Sequence, residues 1–213
     1  MAEPKVCVSL EGITVDEMID EANRANIAGA DYVEVRFDKL YLIKPEPTVS
    51  ENEDGEKISK MPPETEWTVK DFEEIDIEES ISALKEAIPV PVIFTVRPVR
   101  EGGFFAGNEK QRLDVLSKAI KSEVSFVDLE LSIEEKDRKK LHSSATDSGC
   151  KVIASYHDSS ATPSANEIIE LVRSNYDKGD IIKFCSSISN HQDSLQIIEA
   201  AHTLSNDEEP HSL

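Results

Sequence analysis

GDIIKFCSSI, residues 179–188, places Lys183 among Ile181, Ile182, Phe184 and Cys185, a run that reads as a buried strand. An unpaired ammonium there is costly, because desolvation disfavours the charged form. The run is the last of six of its kind. VCVSL (6–10), YVEVRFD (32–38), VPVIFTVR (90–97), FVDLEL (126–131), KVIASYH (151–157) and DIIKFCSSI (180–188) are short, β-branched and almost continuously apolar. Helical patterns separate them, which predicts a parallel sheet covered on both faces. Such a sheet is either doubly wound or a (β/α)8 barrel. A dinucleotide-binding sheet carries a glycine-rich turn after its first strand. Here that turn is SLEGIT (9–14), with one glycine. The expectation is therefore an α/β fold, a (β/α)8 TIM barrel with about six of its β/α units in this chain.

Helix starts are marked by a hydroxyl followed three residues later by an acid or amide. Thr14-Val15-Asp16-Glu17, Ser132-Ile133-Glu134-Glu135, Ser164-Ala165-Asn166-Glu167 and Ser189-Asn190-His191-Gln192 all fit that pattern. Ile168, Ile169, Leu171 and Val172 form one core-facing stripe, and Ile77, Ile81, Leu84 and Ile88 another. Residues 44–74 break the alternation. They are rich in Pro, Glu, Asp and Lys, lack periodicity, and read as an acidic surface insertion, a flexible loop with Trp67 and Phe72 packing back. The rest of 1–213 reads as a single barrel domain.

The chain holds 43 Asp+Glu against 23 Lys+Arg, a net charge of -20. That balance argues against nucleic acid and anionic membranes as partners. It suits a protein kept in solution by self-repulsion, as in a high-salt cytoplasm, although thirteen of the acids fall within 44–79, beside four lysines. No apolar run approaches the ~20 residues that cross a bilayer. Acids at Glu3, Glu11, Asp16, Glu17 and Asp20 argue against a secretory leader. Cys7, Cys150 and Cys185 are dispersed, without zinc spacing, which points to a reducing cytoplasm.

In parallel α/β folds reactive groups gather at the C-terminal strand ends. Ser9 and Glu11 end the first strand, Glu34 and Arg36 share a face of the second, and Arg97 ends the third, followed by RPVREGGFFAG. Asp128 and Glu130 lie on the fourth, His157 and Asp158 end the fifth, and Lys183 lies on the sixth. Each has an ordinary structural role open to it: Glu34 with Arg36 as a same-face ion pair, Lys183 paired with Glu130, His157 as a loop contact. Their convergence on one barrel mouth favours chemistry. A lysine in a low-dielectric barrel near arginines is expected to have a lowered pKa and to act as an amine nucleophile. With a carbonyl it forms a Schiff base, and a histidine can move protons at the adjacent carbon. Arginines would hold an anionic or polyhydroxylated small molecule. With no metal cluster or phosphate loop in the sequence, a cofactor-free lyase is expected.

EVRFD, FTVRPVREGG, VDLEL, ASYHD with TPS, and IIKFCSSISNHQDSL together resemble type I 3-dehydroquinate dehydratase, in order, from about residue 4 to about 204. The resemblance implies a (β/α)8 barrel that converts 3-dehydroquinate to 3-dehydroshikimate by syn elimination of water, in the shikimate pathway of aromatic amino acid biosynthesis. It implies that Lys183 forms the imine and that His157 is general base and acid. It also implies that Glu101 orients His157, and that Ser9, Glu34, Arg36 and Arg97 contact the substrate. A homodimer and a cytoplasmic location are compatible with it. The family's last two β/α units supply a carboxylate-binding arginine and a closing loop that have no counterpart here. The expectation is a fragment of a longer protein. The alternatives are a truncated non-catalytic homologue and another Schiff-base lyase of the class I aldolase type.

Overall fold

The computed structural model describes residues 5–51 and 56–207; residues 52–55 of the acidic segment and the EEPHSL terminus (208–213) lie outside the described residues. The elements run β1 (Cys7–Ser9), α1 (Val15–Ile27), β2 (Tyr32–Arg36), β3 (Leu42–Ile43), β4 (Thr48–Glu51), β5 (Lys57–Lys60), β6 (Thr68–Val69), α2 (Ile77–Ala87), β7 (Val92–Thr95) and α3 (Glu109–Lys121). They continue with β8 (Phe126–Glu130), α4 (Glu135–Ser148), β9 (Lys151–Asp158), α5 (Ala165–Arg173), β10 (Ile181–Ser186) and α6 (His191–Leu204).

All six expected strands are present and join one parallel sheet in the order β1-β2-β7-β8-β9-β10. Sequence order equals spatial order, with none of the reversal that defines a doubly wound sheet. The sheet also curls. β2 and β10 stand four strand spacings apart, about 19 Å if the sheet were flat. Yet Lys183 Nζ on β10 lies 3.1 Å from Glu34 Oε1 on β2. Only a sheet rolled toward a barrel closes that gap. Among the described residues, β1 and β10 each pair with one neighbouring strand.

The core fills the layer between helices and sheet. Val33 and Val35 of β2 are fully buried against it, while Glu34 and Arg36 alternate to the barrel interior. In α5 the expected stripe is seated: Ile168, Ile169 and Val172 are buried, each stabilising by roughly 1.5–3 kcal/mol. Ile81 and Leu84 do the same in α2. The Ser164–Glu167 capping box forms as expected, and Thr14 Oγ1 accepts from Glu17 N. Two other caps differ. α6 is capped by Asn190, whose side chain accepts from both Gln192 N and Asp193 N, one residue past the serine expected to do so. α4 starts from Glu134 with no side-chain cap, and Ser132 is engaged elsewhere.

The 44–74 segment carries regular structure that its composition hides. β4 and β5 form an antiparallel hairpin, and β6 pairs with β3. The hairpin is exposed along its described length, so it has no period-2 apolar signal to read. Phe72 does pack back, stacking on Tyr41 and meeting Phe105 edge-on, and Trp67 Nε1 donates to Pro62 O. Lys39, almost fully buried, ties the segment to the barrel rim through Glu11 and Glu64.

One buried ion pair lies behind the strand ends. Arg112 of α3 donates to Glu130 Oε2 at 2.7 Å and to Val96 O at 2.9 Å, and it also pairs with Glu109. Arg112→Ala strands the Glu130 carboxyl in the core and is expected to cost about 3 kcal/mol in urea unfolding. Replacing both residues by methionine is expected to recover most of it. An Arg112→Ala protein as stable as wild type would show that the pair contributes nothing.

Candidate active site

β10 brings Lys183 into the barrel with its side chain 27% exposed. It donates to Glu34 Oε1 and Asp128 Oδ2, both at 3.1 Å. Glu130 is not its partner, because that carboxylate is taken by Arg112. Glu34 is held in turn by Ser9 Oγ at 2.7 Å and Thr95 Oγ1 at 2.8 Å, and Asp128 by the Ser155 hydroxyl. Four strands thus fix the two carboxylates before any ligand arrives.

The charge state of the lysine corrects the sequence-based expectation. Burial acts to lower its pKa, but Asp128 and Glu34 outweigh it, and Lys183 is held above the ordinary lysine value. Burial likewise opposes the ionisation of Glu34, yet Lys183, Ser9 and Thr95 bring its carboxyl down to about 2. Low dielectric strengthens attraction as well as desolvation, and two anions within hydrogen-bonding distance win. The resting site holds an ammonium.

Arg97 lies above this pair, with Nη2 3.7 Å from Glu34 and 3.8 Å from Asp128. Its Nε and Nη2 are buried and, among the described residues, have no hydrogen-bond partner. Such donors are costly unless something fills the site. Arg36 is placed differently from the expectation of a Glu34–Arg36 pair. It forms a two-pronged contact with Asp38, Nε to Oδ1 at 2.9 Å and Nη2 to Oδ2 at 2.7 Å.

His157 is the penultimate residue of β9, beside Cys185, its register partner on β10. Its Nδ1 lies 3.0 Å from Glu101 Oε2, while Nε2 is buried with no partner among the described residues. Burial acts to lower its pKa, but Cys185 and Glu101 outweigh it and raise the imidazole to about 9. Glu101 reaches it from a turn that two glycines permit. Gly102 is left-handed (φ 76°), and a Cβ on Gly103 would come within 2.1 Å of Arg97 O. Asp38 secures the same loop, accepting from Arg97 N at 3.2 Å and Phe104 N at 3.1 Å.

Ser9, Glu34, Arg97 and Lys183 share one contact network, His157 pairs with Glu101 beside Cys185 on the lysine's own strand, and Arg36 is held by Asp38. Glu11 turns to Lys39, and Asp158 caps the turn at Ser160. Asp128 had been placed on a strand without a partner. Asp38, Thr95 and Ser155 carry no role in the sequence reading, and Ser132 reads there only as a helix cap. Asp38 was legible as the last letter of EVRFD, and Thr95 by its two-residue spacing from Arg97; no sequence signal identifies the serines. The cleft of about 240 Å3 at the rim, lined by Glu11, Glu17, Glu64 and Trp67, contains none of the Lys183 cluster.

The 3-dehydroquinate dehydratase of Methanothermobacter thermautotrophicus is 33% identical over 195 residues, 92% of this chain and 71% of that protein. That of Methanocaldococcus jannaschii is 38% identical over 109 residues, and the aligned stretch spans about half of each protein (51% and 50%). Among solved structures, a type I 3-dehydroquinate dehydratase from Clostridium difficile superposes with a TM-score of 0.76 at 22% identity, covering 99% of this chain and 74% of that one. The family model described as Type I 3-dehydroquinase matches residues 6–212, and this chain belongs to that family.

Proposed function

We propose that this chain is a hydro-lyase that dehydrates 3-dehydroquinate to 3-dehydroshikimate through an imine on Lys183. The observation that carries this reading is a lysine inside a barrel, beside buried donors on Arg97 and a free Nε2 on His157. In this reading Nζ gives up a proton, attacks the substrate ketone, and water leaves as the iminium forms. The iminium drains electrons from the adjacent carbon, His157 takes the proton there and delivers it to the hydroxyl one carbon further, which departs as water. Hydrolysis of the conjugated imine frees the product and restores the amine. Glu34 and Asp128, which favour the ammonium, favour the iminium for the same electrostatic reason. They lower the fraction of free amine and stabilise the cation on which elimination depends. Arg97 and the uncommitted end of Arg36 supply donors for the substrate's carboxylate and hydroxyls, with Ser9 and Glu34 beside them.

The same reading includes a reducing cytoplasm, supported by three free thiols, and a homodimer, supported by the family resemblance. No helix of the described residues is long and apolar enough to cross a membrane. The net charge of -20 supports a small-molecule partner and speaks against nucleic acid.

Intact-mass spectrometry after incubation with 3-dehydroquinate and borohydride tests the proposal. A single adduct mapped to Lys183 is expected; a folded, unmodified protein rejects the imine. The pH profile is a second test. With the His157 value raised to about 9, the imidazole becomes a free base only as pH climbs through it. kcat/KM is therefore expected to rise from neutrality toward pH 9. A flat profile over that range removes His157 as the base.

A further inference from the structure

We propose that Ser132 is a positioning residue for the proton-transfer pair, anchoring Glu101 so that its second oxygen holds His157; this rests on the dehydratase reading. Ser132 heads an apparent capping box, yet its hydroxyl leaves the helix it precedes and donates to Glu101 Oε1. Glu101 Oε2 is then the atom that meets His157 Nδ1 at 3.0 Å. Both oxygens of the carboxylate are assigned, one to each partner, which fixes its plane and the direction in which His157 Nε2 faces.

The anchor is itself supported. Arg100 Nη2 donates to Ser132 Oγ at 3.3 Å, while the same guanidinium contacts Glu109 at 2.9 and 3.3 Å. Glu109 also receives Arg112, which is buried against Glu130 at the end of β8. The line runs from core to site: Glu130, Arg112, Glu109, Arg100, Ser132, Glu101, His157. Ser132 is its narrowest point, because it joins an exposed ion-pair cluster to an almost buried carboxylate. A hydroxyl suits that place, since it donates to the anion on one side and accepts from the guanidinium on the other.

The sign of one measurement separates positioning from simple competition for Glu101. If Ser132 only shares the carboxylate, its removal leaves Glu101 in place and more basic, and the His157 titration midpoint rises. If Ser132 holds the carboxylate, its removal lets Glu101 turn away, and the midpoint falls. The experiment is an NMR titration of the His157 imidazole in wild type, Ser132→Ala and Ser132→Thr, paired with steady-state kinetics. For Ser132→Ala we expect a fall of at least about half a pH unit and a roughly tenfold loss of kcat with KM within about twofold. Ser132→Thr, which keeps the hydroxyl, is expected to restore both. An unmoved or raised midpoint, or a threonine variant as impaired as alanine, overturns the proposal. The titration needs no turnover, so wild-type protein without dehydratase activity defeats the functional reading while leaving this one to be decided by the midpoint.

Discussion

Lys183→Met is expected to yield no borohydride-trapped adduct and to lower turnover by at least about 10³-fold, because no other group replaces an amine nucleophile. Its second effect is on stability. The ammonium is the hydrogen-bonding cation for both Glu34 and Asp128, each at 3.1 Å. Its loss leaves two carboxylates facing each other, with Arg97 at 3.7 and 3.8 Å as partial compensation. Removing one member of a buried ion pair typically costs 3–5 kcal/mol, and about 3 kcal/mol is expected here because Arg97 remains. A triple change that also makes Glu34→Gln and Asp128→Asn is expected to recover much of the stability and none of the activity. An adduct retained in Lys183→Met, mapped to any other lysine, would falsify its assignment as the nucleophile.

His157→Ala is expected to separate the two halves of the reaction. Imine formation needs Lys183, whereas elimination needs a base at the adjacent carbon. Turnover is expected to fall by roughly 10²–10⁴-fold while borohydride still traps an adduct, now of substrate carried forward slowly. The variant also deprives Glu101 of its partner, but Ser132 still holds that carboxylate at the surface end, so folding is expected to survive. The decisive comparison is single-turnover product formation against adduct yield. Near-normal turnover would dismiss His157 as the proton shuttle; loss of the adduct along with turnover would place it in imine formation instead.

Both predictions depend on a site whose parts were unequally visible in the amino-acid order. The strand Ile181–Ser186 was legible because apolar residues surround Lys183, and the barrel followed from six such runs with intervening helical stripes. The convergence of Ser9, Glu34, Arg97, His157 and Lys183 was legible for the same reason: parallel strands carry their reactive groups to one end. The Phe72 contact with Tyr41 and Phe105 was visible as an aromatic in a polar segment. The β4–β5 hairpin was not, since exposed strands carry no alternation.

What the order of residues could not decide was partnership. Ser132 sits three residues before Glu135 and reads as a cap, but its hydroxyl donates to the Glu101 carboxylate, 31 positions earlier, and accepts from the Arg100 guanidinium, both charged partners that local spacing does not reveal. Arg36 likewise leaves Glu34, two residues away on the same face, for Asp38. The protonation of Lys183 is the clearest case. Its apolar neighbours in the chain argue for a neutral amine; Glu34, 149 residues away, and Asp128, 55 residues away, hold it charged. Local sequence determines which side chains point into a barrel, because strand periodicity is a property of consecutive residues. Which charges meet there is decided by the curl of the sheet, because Coulomb energy depends on distance in space and desolvation on the whole surrounding shell.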